Sequence, residues 1–221
     1  MNILALDTST EACSAALLRA DGQVFGEFDI APRQHTRLLP IMMDRVLSAA
    51  GIAKNLITHC AFGNGPGAFT GIRIAAAQAQ GIGIALGIPL LPISTLAILA
   101  QTGIDRCNCR RPLVALDARM QEIYWAIYQR DDLGLARLLG REQLTSVAGV
   151  EFNAAIDRGI GHGWLDELRA GVSFGVDADM LPDAKYLLKL AQAAVRGNQG
   201  VDAAAVGINY LRNRVAEKAK N

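Results

Sequence analysis

The feature that most constrains this chain is an internal repeat: Ala5-Leu6-Asp7 recurs as Ala115-Leu116-Asp117. Each copy ends an apolar run about as long as a buried strand. The separation of 110 is close to half of the 221 residues, and the same offset relates Asp21 to Asp131. Self-similarity at that spacing predicts two related halves rather than one continuous sheet. In the first half, Ile3 to Leu6, Cys13 to Leu18 and Val24 to Ile30 read as strands, with Asp21-Gly22 as a hairpin turn. A helix-like period follows from Thr36 to Ala50 and stops at Gly51. Then come a strand over Thr58 to Phe62, a glycine-rich turn over Gly63 to Gly71 and a helix over Phe69 to Leu86. A strand over Pro89 to Ile93 and a helix over Thr95 to Gln101 complete a βββαβαβα order. The second half repeats the opening strands as Pro112 to Leu116, Ile123 to Tyr128 and Gly134 to Leu139. It then loses its period in Gly159 to Gly175, which holds five glycines, and keeps one clear helix, Ala184 to Arg196. The expected fold class is α/β, with a boundary near Thr102 to Arg111 that gives domains 1–104 and 105–221.

Composition narrows the function. With 22 Lys and Arg against 21 Asp and Glu, the net charge of +1 provides no field for holding a nucleic-acid backbone. Hydrophobic residues make up 51% and charged ones 19%, which excludes disorder and leaves a surface short of charge. The run from Ile74 to Ile104 carries no charge at all. Gln78, Gln80, Gly81, Gly83 and Gly87 interrupt it and Pro89 and Pro92 break it, so it reads as buried helix and strand rather than a membrane span. Asp7 cuts the opening apolar run too short for a secretory signal, so the cytoplasm is the expected location. Cys13, Cys60, Cys107 and Cys109 form no disulfide framework, and the three histidines, His35, His59 and His162, show no ligand spacing. No metal site is expected.

Two places attract attention as sites. Asp7 and Asp117 end the first strand of each half, where paired carboxylates would face one another across a cleft and hold a nucleotide's magnesium. Thr8 and Ser9 after Asp7 offer hydroxyls, and the turn with Gly65, Gly67 and Thr70 leads into a helix N-terminus suited to anions. The glycines expected directly after each Asp are missing, however, and the turn lacks a P-loop ending. Plain structural readings are that each Asp caps its own turn and that Thr70 caps the helix. These residues are therefore candidates for a vestigial nucleotide site. The second place is a surface. Apolar residues of the Thr36 to Ala50 helix fill about 200° of arc, where a surface helix needs about 100°, and the next helix is uncharged and rich in small residues. Leu38, Leu39, Met42, Met43, Val46, Ile72, Ile74, Ala75, Gln78, Ala79 and Ile82 are the expected interface, forming a four-helix contact with a similar protein.

The segments ILALDTSTEACSAAL (Ile3 to Leu17), HTRLLPIM (His35 to Met42), GNGPGAFTGIRIA (Gly63 to Ala75), ALDARMQEIYWAIY (Ala115 to Tyr128), GHGW (Gly161 to Trp164) and YLRNRVAEK (Tyr210 to Lys218) resemble the TsaB family, also called YeaZ. The match runs nearly the whole chain in the family's order. The resemblance implies an ASKHA (actin-like ATPase) fold of two RNase H-like lobes, the second degenerate. It also implies a non-catalytic paralogue of TsaD, the enzyme that transfers threonylcarbamoyl to adenosine 37 of tRNA. TsaD-like proteins carry an HxxxH metal pair after the strand matching Pro89 to Ile93; here Ile93-Ser-Thr-Leu-Ala-Ile-Leu99 has no histidine. No catalytic residue and no cofactor of its own are therefore expected, with ATP and a metal ion on partner subunits. The implied partners are a TsaD-like catalytic subunit and, through it, a TsaE-like ATPase, with a homodimer when alone, indirect or weak tRNA contact, and no membrane. The competing reading is an enzyme in its own right, an ASKHA-type ATPase or an M22-type peptidase, although no nucleophile with an adjacent base supports the latter.

Overall fold

The computed structural model describes residues 1–151 and 155–212. Of the Tyr210 to Lys218 segment, only Tyr210, Leu211 and Arg212 are among them; the rest lies outside the described residues. The first sheet is built from β1 (Ile3–Asp7), β2 (Ala12–Leu18), β3 (Val24–Ile30), β4 (His59–Gly63) and β5 (Leu90–Ile93), in the order β3-β2-β1-β4-β5. β1 runs antiparallel to β2 and parallel to β4. The second sheet contains β6 (Pro112–Arg119), β7 (Glu122–Arg130), β8 (Ala136–Ser146), β9 (Arg158–Ile160) and β10 (Gly175–Asp177), in the order β10-β9-β6-β7-β8. That is the first order over again, which is the two-lobed ASKHA fold. Asp21 and Asp131 occupy matching hairpins, each accepting a backbone N–H two residues on, at 3.1 and 2.9 Å.

What is degenerate in the second lobe is its helices. The first half supplies α1 (His35–Ala50), α2 (Phe69–Leu86) and α3 (Thr95–Cys107), whereas the described residues of the second form the one-turn α4 (Asp166–Ala170) and α5 (Ala184–Arg196). The lobes also exchange helices. Leu96, Leu99, Ala100 and Ile104 of α3 join the core of the second sheet with Val114, Leu116 and Ile160. Leu187, Leu188 and Ala191 of α5 cover Ile3, Ala5 and Ala16 of the first. With Ile98 of α3 turned to that same first-sheet core, α3 is buried on both sides, which accounts for its lack of charge as far as Ile104; Asp105 and Arg106 come only in its last turn.

Four details depart from the sequence reading. α3 continues past Gln101 to Cys107, because the polar pair Gln101 and Thr102 is fully buried yet satisfied. Gln101 donates to the Gly134 carbonyl and accepts from Ala136 N–H, and Thr102 donates to the Ile98 carbonyl. β8 extends beyond Leu139 to Ser146 through a register shift opposite Trp125 and Ile127 and a left-handed Gly140. The stretch from Gly159 to Gly175 holds most of β9, α4 and the start of β10, elements too short to show a period. Thr70 is exposed within α2, and Ala68 takes the N-cap position without a side-chain bond.

Candidate functional site

The ends of β1 and β4 meet in two interlocked turns. Asp7 Oδ1 accepts from the Ser9 N–H at 3.1 Å and the Ser9 hydroxyl at 2.8 Å, the turn-capping role expected of it. Thr8 donates to the Gly71 carbonyl at 2.7 Å, Thr10 Oγ1 accepts from Ala12 N–H at 3.2 Å, and Ser9 O accepts from Ala68 N–H at 2.8 Å. The Thr8 and Ser9 hydroxyls, candidates for holding a phosphate, thus donate to the Gly71 carbonyl and the Asp7 carboxylate instead. The glycines are filled in the same way. A β-carbon at Gly63 would collide with Asp7 Oδ2, at Gly67 with the Ser9 carbonyl, and at Gly71 with the Thr8 carbonyl. At Gly65, whose φ is +102°, it would come within 2.7 Å of the Asn209 carbonyl oxygen.

Asp7 is fully buried, and its Oδ2 has no hydrogen-bond partner. Burial pushes its carboxyl up from 3.8 to about 6, against the lowering effect of the two Ser9 hydrogen bonds, with a small further rise from Asp183.

Above these turns, between the lobes, lies a cleft of about 1010 Å³. Ser9, Thr10, Gly67, Thr70 and Gly71 line one wall, Asp117, Arg119, Met120 and His162 the other, and Asn209 to Arg212 border it. Asp117 therefore reaches the cleft, while Asp7 is not among its lining residues. Asp117 accepts from the Arg119 N–H at 2.7 Å and pairs with the Arg119 guanidinium at 3.1 Å, and its own N–H donates to His162 Nδ1 at 3.1 Å. Arg119, Met120 and Gln121 are consecutive left-handed residues, so this hairpin is strained backbone at the cleft mouth.

The residues expected at a partner surface divide by burial. Leu39, Met42, Val46, Ile72, Ala75 and Ala79 lie in the chain's own core, whereas Leu38, Met43, Ile74, Gln78 and Ile82 are half-buried at its edge. The wide apolar arc of α1 is thus largely absorbed internally, and its outer side carries Arg37, Asp44 and Arg45. α2 differs. Ala77, Gly81, Ile84 and Ala85 are exposed, and no charge follows Arg73 along the helix.

Sequence reading missed the border of the cleft. Asn209, Tyr210 and Arg212 fall in a segment without period, and His162 sits between two glycines. The family-like GHGW and YLR strings cover His162, Tyr210 and Arg212 but not Asn209.

The comparisons with known proteins agree with this geometry. The family model described as "TsaD: tRNA N6-adenosine threonylcarbamoyltransferase" matches residues 29–158. The curated "tRNA threonylcarbamoyladenosine biosynthesis protein TsaB" of Escherichia coli is 36% identical over 99% of this chain and 97% of its own length. The chain belongs to the TsaB family. The Haemophilus influenzae TsaB is 35% identical, over 99% of this chain and 96% of its own. A solved structure named "YeaZ from Pseudomonas aeruginosa" superposes with a TM-score of 0.91 at 42% identity, covering 95% of this chain and 99% of that one. Another from the same organism, described as having "similarity to peptidase YEAZ", matches with the same score and identity.

In this TsaB-family chain the histidine-free segment after β5 has a packing role. Ser94 caps α3, accepting from the N–H groups of Leu96 and Ala97, and Thr95, Leu96, Ile98 and Leu99 are fully buried. Among the described residues, no three His, Cys, Asp or Glu side chains gather as metal ligands, and no helix is long and apolar enough to cross a membrane.

Proposed function

We propose that the chain is a non-catalytic, cytoplasmic accessory subunit in the formation of N6-threonylcarbamoyladenosine on tRNA. In this role it docks on a TsaD-like threonylcarbamoyltransferase that works with a TsaE-like ATPase, and ATP and the metal ion belong to those partners. Near-full-length similarity to proteins named for this biosynthesis supports the pathway. The observation that carries the accessory role is the outer face of α2: small or apolar, exposed, and uncharged beyond Arg73. Such a face on a soluble protein marks a contact. Leu38 and Met43 of α1, with Ile74, Gln78 and Ile82, border it, and alone the same face pairs with its copy in a homodimer.

The test uses Ala77→Glu, which places a charge at an exposed position where the isolated fold tolerates it and a dry contact does not. Expected are native thermal stability and loss of co-purification with a TsaD-like subunit, along with loss of tRNA modification in a reconstituted system. Wild-type capture of the partner by this variant removes α2 from the interface. Modification at full rate with the chain omitted removes the accessory role.

A further inference from the structure

The last described segment, 201–212, is irregular, yet it is tied to both lobes. On the first lobe, Val201 pairs with Leu90 of β5, the Asn209 N–H donates to the Asn64 carbonyl at 2.9 Å, and the Tyr210 ring lies 6.5 Å from Phe69. On the second lobe, Arg212 donates to the Ala118 carbonyl at 3.0 Å and pairs with Glu122 at 2.6 Å. Between them, Asn209 Nδ2 donates to Glu142 Oε2 at 3.0 Å, and the other oxygen of that carboxylate accepts from Tyr128 at 2.8 Å and from Ser94. Glu142 of the second lobe thus holds the cap of α3 and the segment together.

Two-lobed chains move about their connections unless something fixes the angle. Here the exchanged helices α3 and α5 join the lobes on one side, and the 201–212 segment spans them at the cleft. Gly65 has no room for a β-carbon because the Asn209 carbonyl takes that space. One glycine of the motif that resembles a phosphate turn therefore serves to seat this segment.

We propose that residues 201–212 are a latch that sets the angle between the lobes, with Asn209 and Arg212 as its two fastenings, and that releasing it opens the cleft about the α3–α5 layer. The arginine fork is suited to the task, since one guanidinium reaches a backbone carbonyl and a carboxylate of the strained hairpin together. The Glu11–His162 pair at 3.8 Å also crosses the cleft, but it is too long to hold the lobes by itself.

Amide hydrogen exchange on the full-length chain, native and carrying Arg212→Ala or Asn209→Ala, tests this. Each variant is expected to speed exchange at least tenfold on both cleft walls, in peptides covering 64–71 and 118–122, while the strand interiors at 4–6 and 113–116 stay within twofold of native. Two results overturn the latch. In one, only 209–212 exchanges faster and both walls stay native, so the segment rests passively on the surface. In the other, both sheets accelerate together, so the segment adds general stability and no control of the angle.

Discussion

The two lobes place the same residue at the same point and treat it differently. Asp7 ends β1 and Asp117 stands two residues before the end of β6, where its register breaks, and each closes a turn on the N–H two residues on. Asp7 then disappears beneath the glycine-rich turn, fully buried with one oxygen unpartnered. Asp117 stays at the cleft, with its side chain 24% exposed and paired to an arginine that is 87% exposed. The difference follows from what comes after the fourth strand of each sheet. In the first lobe the short glycine-rich turn after β4 and the 18-residue α2 fold back over β1, whereas in the second lobe Gly161-His162-Gly163 crosses β6 and the one-turn α4 follows. Local turn chemistry survives loss of the helices, but burial of the carboxylate does not.

The largest effects should come where backbone meets backbone. Gly71 faces the Thr8 carbonyl in the first lobe, and Gly163 lies against the main chain of Ala115 and Leu116 in the second. Neither neighbour has a flexible end that can swing away. Gly71→Ala and Gly163→Ala are each expected to destabilise by about 3 kcal/mol or more in urea melts, so that the lobes, unlike in their Asp environment, are equally intolerant here. Gly81 has open space around it on α2, and Gly81→Ala should be neutral or stabilising by up to about 1 kcal/mol. Native stability of Gly71→Ala would mean that the two turns are not interlocked.

Next in size is the pH dependence of Asp7. Its folded-state pKa of about 6 lies above the unfolded value of 3.8, so the folded chain binds the proton more tightly. The associated stability is complete below about pH 3.8 and is lost as pH rises through about 6, a change on the order of 3 kcal/mol. Asp7→Asn keeps an acceptor for Ser9 and cannot ionise. The stability gap between variant and native chain should therefore move by about that amount in the variant's favour between pH 3.5 and 7. A gap independent of pH would show that Asp7 ionises as an ordinary carboxylate, leaving the two lobes alike in this respect.

How far this was legible in sequence depends on the type of signal. Val24–Ile30, Phe69–Leu86 and Ala184–Arg196 match their sequence-read bounds because period and stop residues coincide. The end of α3 is hidden in sequence because Gln101 and Thr102 look like surface residues, whereas Gln101 is satisfied by Gly134 and the first residue of β8, and Thr102 by the Ile98 carbonyl of its own helix. β8 was cut short because Gly140 reads as a turn and a bulge has no periodic mark. For the site, the strand-end Asp and its turn were visible, whereas what fills each glycine was not. A missing β-carbon makes room equally for a phosphate or for Asp7, Thr8, Ser9 and Asn209, and only the fold decides which. The apolar arc of α1 misled for the related reason that an arc measures how much is apolar and not which neighbours cover it.

The smallest effect expected is at Asp117. Asp117→Asn retains an oxygen for the Arg119 N–H and loses only an ion pair to a solvated guanidinium, worth under about 1 kcal/mol, so the denaturation midpoint should scarcely move. Under the accessory role proposed above, Asp117 holds no reacting group and so has no transition state to stabilise. Asp117→Ala, like Asp7→Ala if it folds, should support reconstituted tRNA modification to within about tenfold, a barrier change of roughly 1.4 kcal/mol. Removing a metal-binding carboxylate from a working phosphoryl site would have a far larger effect. A thousandfold loss for Asp117→Ala, with the partner complex intact, would make the open lobe's aspartate part of the chemistry and the contrast between the lobes a division of labour instead of a relic.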